Sequence, residues 1–389
     1  MVMTHKERYL KALHHEEPDY VPCAPELWFL IPARMSGLRF YEVSPGPIFL
    51  PQLHKIPLWK AQLDCAKALD VCGWVVVFPK MGNPALKVES YVVFKEGQIA
   101  EIHLFQSVGG PVFEETLLAP QDDAPWLASH PVKRFEDWEE YKKVAFVDPL
   151  RVEAEEIEEA YELTGGSGIV SVAIGGLFFD FLVSSREGGL EKVLEDLLEH
   201  PSFFEGLHRE FIEYSKEKIK VVCEATTKFD ELFIGCSYAS VPILSPKMYR
   251  EWEVPFLKEI AQTAHSFGKP LHLHQHGRLK DIIADVARTG VDLLCPLEVP
   301  PLGDVELGWV KREFGSRLAL KGGVRPQTLC QGTPEEIEKE IKECIHQAAG
   351  GGGFILGTCD QVHRDTPLEN IVLMRELCKK YGRYPIGGN

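Results

Sequence analysis

No two cysteines of this chain stand in a Cys-x-x-Cys spacing, although there are ten of them in 389 residues. Scattered in this way, they read as reduced cytosolic thiols and not as a disulfide framework. Most are expected to be small buried residues. An uncharged apolar run of about 18 residues is missing throughout, so no membrane-spanning helix is expected. The opening, MVMTHKERYLKALHHEEPDYVP, is charged and lacks the apolar stretch of a signal peptide or anchor. Positive charge is in deficit: 42 Lys and Arg stand against 58 Asp and Glu, a net charge of −16. That excludes a basic stripe for nucleic acid and disfavours anionic lipid surfaces. Repeats and low-complexity tracts are absent. The glycine run 350–353 lacks the Lys-Ser/Thr tail of a phosphate loop and precedes a strand instead of following one. The expected setting is cytoplasmic, with no nucleic-acid and no membrane partner.

The composition that remains, 45% apolar and 26% charged, is that of a globular chain with a large core. Eight short apolar runs punctuate it: VPCAPEL (21–27), CGWVVVF (72–78), GIVSVAIGG (168–176), ELFIGCSY (231–238), LHLHQHG (271–277), VDLLCPLE (291–298), LALKGG (318–323) and GGFILGTC (352–359). Helical patterns separate most of them. One is capped by Ser245 before Pro246 and stops at Gly268. Another has Thr333 and Pro334 at its start and Gly350 at its end. A third repeats the design with Thr366, Pro367 and Gly382. Alternating β and α elements predict a parallel sheet, and eight strands predict a (β/α)8 TIM barrel. The whole chain, 1–389, reads as one barrel domain. A bare barrel takes about 250 residues. The excess lies mainly between strands two and three, as an insertion over about 86–165. Within it, 89–112 reads as a β-hairpin turning near Glu96-Gly97, followed by the Pro- and acid-rich APQDDAPW.

Chemistry is concentrated in LHLHQHG. Alternate side chains of a strand share a face. His272, His274 and His276 therefore point one way, into the lumen or its mouth. A single buried histidine is more often a satisfied core residue than a ligand. Three on one face need many partners, because each imidazole has two nitrogens to satisfy. His276 sits at the C-terminal end of its strand, where barrel active sites form. His274 and His276 are thus candidate metal ligands, and His272, the deepest, is a residue that orients a ligand. Catalytic zinc takes three protein ligands and an open position. Cys359 ends the last strand at the same mouth and is the expected third ligand. Asp360 and His363, in the same loop, stand as its alternatives or supports.

Several stretches together resemble the uroporphyrinogen decarboxylase superfamily: KERYLKALHHEEPDYVP, SPKMYREWEVPFLKEI, HQHG, RTGVDLLCPLE, FGSRLALKGGV, GTPEEIEKEI and GGFILGTCDQVHRDTPLENIVLMRELCKKYG. The resemblance spans nearly the whole chain and is strongest over 230–382. It implies a (β/α)8 barrel. The decarboxylase branch carries an arginine-rich MRQAGRY-type motif near its N-terminus; here that region reads APELWFLIPARM. The other branch is the zinc- and corrinoid-dependent methyltransferases, which use His-x-Cys on one strand and a Cys near the C-terminus. His274, His276 and Cys359 stand at those places, with histidine replacing the first cysteine. A less thiolate-rich zinc is a stronger Lewis acid, which suits polarising an ether oxygen. The resemblance therefore implies O-demethylation of a methoxylated aromatic, with methyl passing to cobalamin on a separate corrinoid protein. No Asp-x-His-x-x-Gly motif for cobalamin occurs in the chain.

Further mouth residues are read by their position after strands. Glu298 and Tyr238 are the candidate catalytic acid or orienting groups. Glu26, Trp28, Phe178, Phe179, Asp180 and Arg325 are candidate substrate contacts, each with ordinary packing or a salt bridge as the plain alternative. Three other functions stay open at this point. They are a metal-independent decarboxylase, a non-catalytic corrinoid- or aromatic-binding protein, and a zinc hydrolase with Asp360 as base. A homodimer is the default assembly.

Overall fold

Seven of the eight predicted runs form one curled parallel sheet. In a computed structural model the described residues are 2–386, apart from 45–52, 83–87, 96–97, 108–109, 119–125 and 149. The strands Gly73–Val77, Gly168–Gly176, Glu231–Cys236, Leu271–Gln275, Leu293–Leu297, Ala319–Val324 and Phe354–Thr358 lie side by side in chain order. The eighth run closes the ring without forming a full strand. Cys23 bridges Leu356 in parallel, and its carbonyl accepts from Cys72 N–H at 2.9 Å. Pro22 and Pro25 flank this contact and lack the N–H groups a longer ladder would use. The fold is thus an α/β barrel of the TIM type.

Strand alternation sorts the core into two layers. Trp74, Val76, Ile169, Phe233, Leu293, Cys295 and Ala319 form a buried cluster inside the ring. Their neighbours Val75, Val77, Val170, Leu232, Leu273, Leu294 and Leu320 belong to the larger cluster packed under the helices. Each strand is buried on both faces, as parallel strands require.

Helix boundaries follow their caps. Ser245 accepts from Met248 N–H, and a π-turn at Tyr249–Glu253 leads into the helix Val254–Ser266. Thr333 and Glu336 make a capping box for Pro334–Ala348. The last helix, Leu368–Tyr381, departs from the predicted design. Pro367 is its N-cap, and the buried Thr366 hydroxyl finds no partner among the described residues, so Thr366 does not cap it.

The insertion is larger in structure than the predicted hairpin. Val88–Lys95, Gln98–Ser107, Gly110–Leu118 and Trp126–Ser129 make a four-stranded antiparallel sheet. The first hairpin pairs Lys95 with Gln98; the predicted turn residues Glu96 and Gly97 lie outside the described residues, as does most of APQDDAPW. Two further strands continue the ladder, because a lone two-stranded hairpin is marginal in water. No helix of the described residues is long and apolar enough to cross a membrane.

Candidate active site

The histidine strand delivers its side chains as the alternation predicts. Leu271 and Leu273 are buried in the layers around the ring, while His272 and His274 turn into it. His276 follows directly after the strand and is partly exposed. Gln275 faces the other way and acts as a clamp. It accepts from Tyr249 hydroxyl at 2.9 Å and donates to Ala239 carbonyl at 3.0 Å. Gly277 then turns the chain at φ +88°; a Cβ there would meet Val241 carbonyl at 2.6 Å. Only glycine fits that position.

Inside the ring the polar groups form one connected path. His272 Nδ1 lies 2.7 Å from Glu231, and its Nε2 lies 2.8 Å from Cys295 Sγ. His274 Nδ1 is 3.2 Å from the same sulfur, and its Nε2 is 2.8 Å from His276 Nε2. His276 Nδ1 reaches Glu298 at 2.9 Å, and the other Glu298 oxygen accepts Gly277 N–H at 2.8 Å.

A cavity of about 300 Å³ opens above this path. Its walls include Trp28, Trp74, Phe78 and Phe233, and its polar groups include Glu26, His274, His276 and Asp360. Trp28 and Trp74 stack with centroids 6.0 Å apart. Trp28 sits at φ +43°, a strained conformation for a bulky residue and one that clusters at functional sites. Two larger cavities, about 350 and 470 Å³, share Arg325, Glu340 and Glu343 and contain none of the histidines.

Burial and charge set the protonation of this mouth. Burial pushes Glu26 up to about 7, against the opposing charge of Lys321 and with the help of Asp360. Its Oε2 has no hydrogen-bond partner among the described residues. Burial drives His274 well below the usual histidine value, and the neighbouring His276, His272 and Lys321 push the same way. Burial alone would also lower His276, but the Glu298 bond and the charges of Asp360, Glu298 and Glu26 outweigh it and raise it. Donor atoms of His276, Glu298 and Asp360 all lie within 4.8 Å of one another, a spacing that can hold a metal ion.

The structure brings together Glu26, Trp28, His274, His276, Glu298 and Asp360, with His272 behind them. Other expected site residues stand elsewhere. Cys359 is fully buried, its thiol donates to Leu297 carbonyl at 3.1 Å, and burial pushes it up to about 12. It is a buried thiol outside the cluster of His276, Glu298 and Asp360 donor atoms. His363 is exposed and accepts from Asp365 N–H at 3.2 Å. Phe178 and Phe179 are fully buried, and their N–H groups bind Glu253 at 3.0 and 2.8 Å. Phe178 packs on Phe211, His208 and Trp252 on the helical side, away from the cavity. Asp180 accepts the N–H groups of Ser237, Tyr238 and Ala239, and so fixes the rim loop. Tyr238 is exposed on that rim and does not line the cavity. Arg325 is held by Glu340 at 2.6 Å in the outer cavities.

Sequence reasoning missed Trp74, Phe233, Cys295, Glu231 and Lys321. The signal was present. Glu231 and Lys321 are lone charges in apolar strands, two per cent exposed or less, and Trp74, Phe233 and Cys295 share the inward parity of the histidines. The Lys321 ammonium lies 3.2 Å above the centroid of Trp74.

Compared with known proteins, the chain matches the family described as Uroporphyrinogen decarboxylase (URO-D) over residues 115–381. It is 29% identical to the uroporphyrinogen decarboxylase of Pelodictyon phaeoclathratiforme over 175 residues, 43% of this chain and 45% of that protein. It is 33% identical to the one from Xylella fastidiosa over 118 residues, 28% of this chain and 30% of that protein. The aligned stretches thus span less than half the length of these relatives. A solved methyltransferase from Methanosarcina mazei superposes with a TM-score of 0.58 at 18% identity, covering 97% of this chain and 99% of that one. At that identity the likeness establishes the shared fold.

Proposed function

Because the chain belongs to the uroporphyrinogen decarboxylase family, yet lines its cavity with imidazoles and carboxylates, we propose that it is a zinc-dependent methyltransferase. Its substrate is a small methoxylated aromatic, and its methyl acceptor is the cobalt of a corrinoid carried by a partner protein. The observation that carries this reading is the convergence of His274 Nε2 and His276 Nε2 at 2.8 Å. At that distance the two nitrogens share one N–H as a hydrogen bond, and with that proton displaced both would present lone pairs at the same cavity.

The donor set fits zinc. His276, Glu298 and Asp360 have donor atoms within 4.8 Å of one another and would hold the ion, with the His274 nitrogen 2.8 Å from His276 as a further donor; Glu298 also bonds Nδ1 of His276. Such a carboxylate behind a ligand histidine fixes the ring and raises its basicity. Cys359 is left out of the set. When bound, the metal supplies a Lewis acid that takes up negative charge on the departing ether oxygen.

The rest is done by side chains of this protein. Trp28, Trp74, Phe78 and Phe233 offer flat apolar walls to a single aromatic ring, and a cavity of about 300 Å³ matches that size. Glu26 keeps its proton up to about pH 7 and can give it to the departing oxygen. Glu298 keeps His276 in place. The cobalt carries the methyl-accepting chemistry, and this chain contributes position and electrostatics.

A decarboxylase acting on a tetrapyrrole with many carboxylates would need cations at the cavity. The charged residues lining it are Glu26 and Asp360, with no arginine among the described ones. The test is metal analysis of tag-free protein, followed by methyl transfer from an aryl methyl ether to a reduced corrinoid protein. Zinc binding with transfer supports the reading. Metal-free protein after zinc reconstitution, or turnover of uroporphyrinogen instead, overturns it.

A further inference from the structure

The four-stranded sheet of the insertion has two edges, and only one of them is blunted. The strand Trp126–Ser129 is four residues long, and its pairing shifts register between Glu115 and Thr116. A short, irregular edge offers little for another chain to pair with. The opposite edge, Val88–Lys95, is eight residues long and keeps one register from Val88 opposite Phe105 to Lys95 opposite Gln98. It contains no proline, and among the described residues no strand pairs with its outer side. Every second residue of such an edge aims its N–H and C=O away from the sheet.

The side chains of this edge are open too. Tyr91, Val93 and Phe94 are 49%, 45% and 76% exposed. Natural edges are usually guarded by a central lysine, a proline or a bulge. Here the charges stand only towards the two ends, at Glu89 and Lys95, and SYVVF runs between them. Val92 packs against Ile99, beside Phe40 and Tyr41, and so holds the strand on the body of the protein.

This edge complements itself. Antiparallel partners must bring outward-facing residues opposite one another, so a two-fold axis passes beside one residue and not between two. Centred on Val92, the axis sets Glu89 opposite Lys95 of a second copy, and Tyr91 opposite Val93. By symmetry each contact occurs twice. Centred on Tyr91 or Val93, the axis leaves Glu89 facing no opposite charge. A foreign strand would have to carry the same charges in reverse order; a second copy supplies them without further requirement.

We propose that Val88–Lys95 is the pairing edge of a homodimer, in which two insertion sheets join antiparallel about Val92 into one continuous sheet. None of these residues lines the histidine cavity, so the dimer stands apart from the proposed function.

Sedimentation velocity of the full-length protein over a range of concentrations tests this. Wild type is expected to be a dimer that dissociates on dilution. Glu89→Lys and Lys95→Glu each set like charges opposite one another, and each is expected to weaken the dimer about 10–100-fold. The double variant Glu89→Lys/Lys95→Glu restores both pairs and is expected to restore the dimer. A wild type that stays monomeric leaves the edge to some other occupant and overturns the proposal. A dimer that both single variants leave unchanged overturns it as well, and so does a double variant no tighter than the single ones. Should a variant misfold, hydrogen exchange of the wild type decides. Amides of 88–95 are expected to exchange more slowly at high protein concentration than at low, and exchange independent of concentration overturns the proposal.

Discussion

His276 is held from both sides: its Nδ1 bonds Glu298 at 2.9 Å, while its Nε2 faces His274 Nε2 at 2.8 Å. Nothing about this ring is free to turn without breaking one of the two contacts. A residue so fixed suits metal binding better than core filling.

Metal content is therefore expected to separate the histidines from the cysteine. His274→Ala and His276→Ala should each lose the roughly one zinc per chain expected of wild type. Cys359→Ala should keep it, because its thiol bonds Leu297 carbonyl. Elemental analysis of reconstituted protein checks this. Zinc lost only in the cysteine variant would reverse the assignment.

Glu26 gives a pH dependence whose sign can be worked out. Its folded value of about 7 lies above its ordinary value of 4.5. The folded state therefore holds the proton more tightly than the unfolded one. The associated stability is fully present below about pH 4.5 and is lost as pH rises through about 7. Denaturant unfolding at several pH values should show this slope, and Glu26→Gln should flatten it. If Glu26 is the proton donor, methyl transfer should fall over the same range, and the Gln variant should be about 10²–10⁴-fold slower.

Gly277→Ala should be costly in itself. The positive φ and the 2.6 Å approach to Val241 carbonyl leave no room for a methyl group. A loss of about 1–3 kcal/mol is expected from backbone strain. Thermal unfolding measures it, and an unchanged midpoint would contradict the local geometry.

Phe178→Ala should act on stability and spare the site. The ring is fully buried against Phe211, His208 and Trp252. A loss of about 3–5 kcal/mol is expected, with zinc content unchanged. A stable variant with impaired ligand binding would return this residue to the substrate contacts.

The barrel was legible because its strands and helix caps are local signals. The run CGWVVVF and the Thr333 capping box need no tertiary information to be read. The inward direction of His272 and His274 was legible for the same reason, since strand alternation is a local property. The direction of the Cys359 thiol was not legible, because strand-end position does not say which way a thiol turns; here it turns to the Leu297 carbonyl of a neighbouring strand. Phe178 and Phe179 follow a strand at the mouth end, yet a helix begins at that point, and its first N–H groups are held by Glu253 from another element. Lys321 and Glu231 were passed over because each looks like an isolated charge until the ring closes around it.

Closure has its own consequence for biosynthesis. Glu26 N–H donates to Thr358 hydroxyl at 3.1 Å across 332 residues of sequence, and Glu26 and Asp360 line one cavity. On the ribosome, chains grow from the N-terminus at about 5–20 residues per second. For most of that time the acid from the first segment waits without the loop that will face it. A nascent barrel can therefore carry its histidines long before it has a complete pocket, and competence arrives late, when the last strand docks beside the first segment.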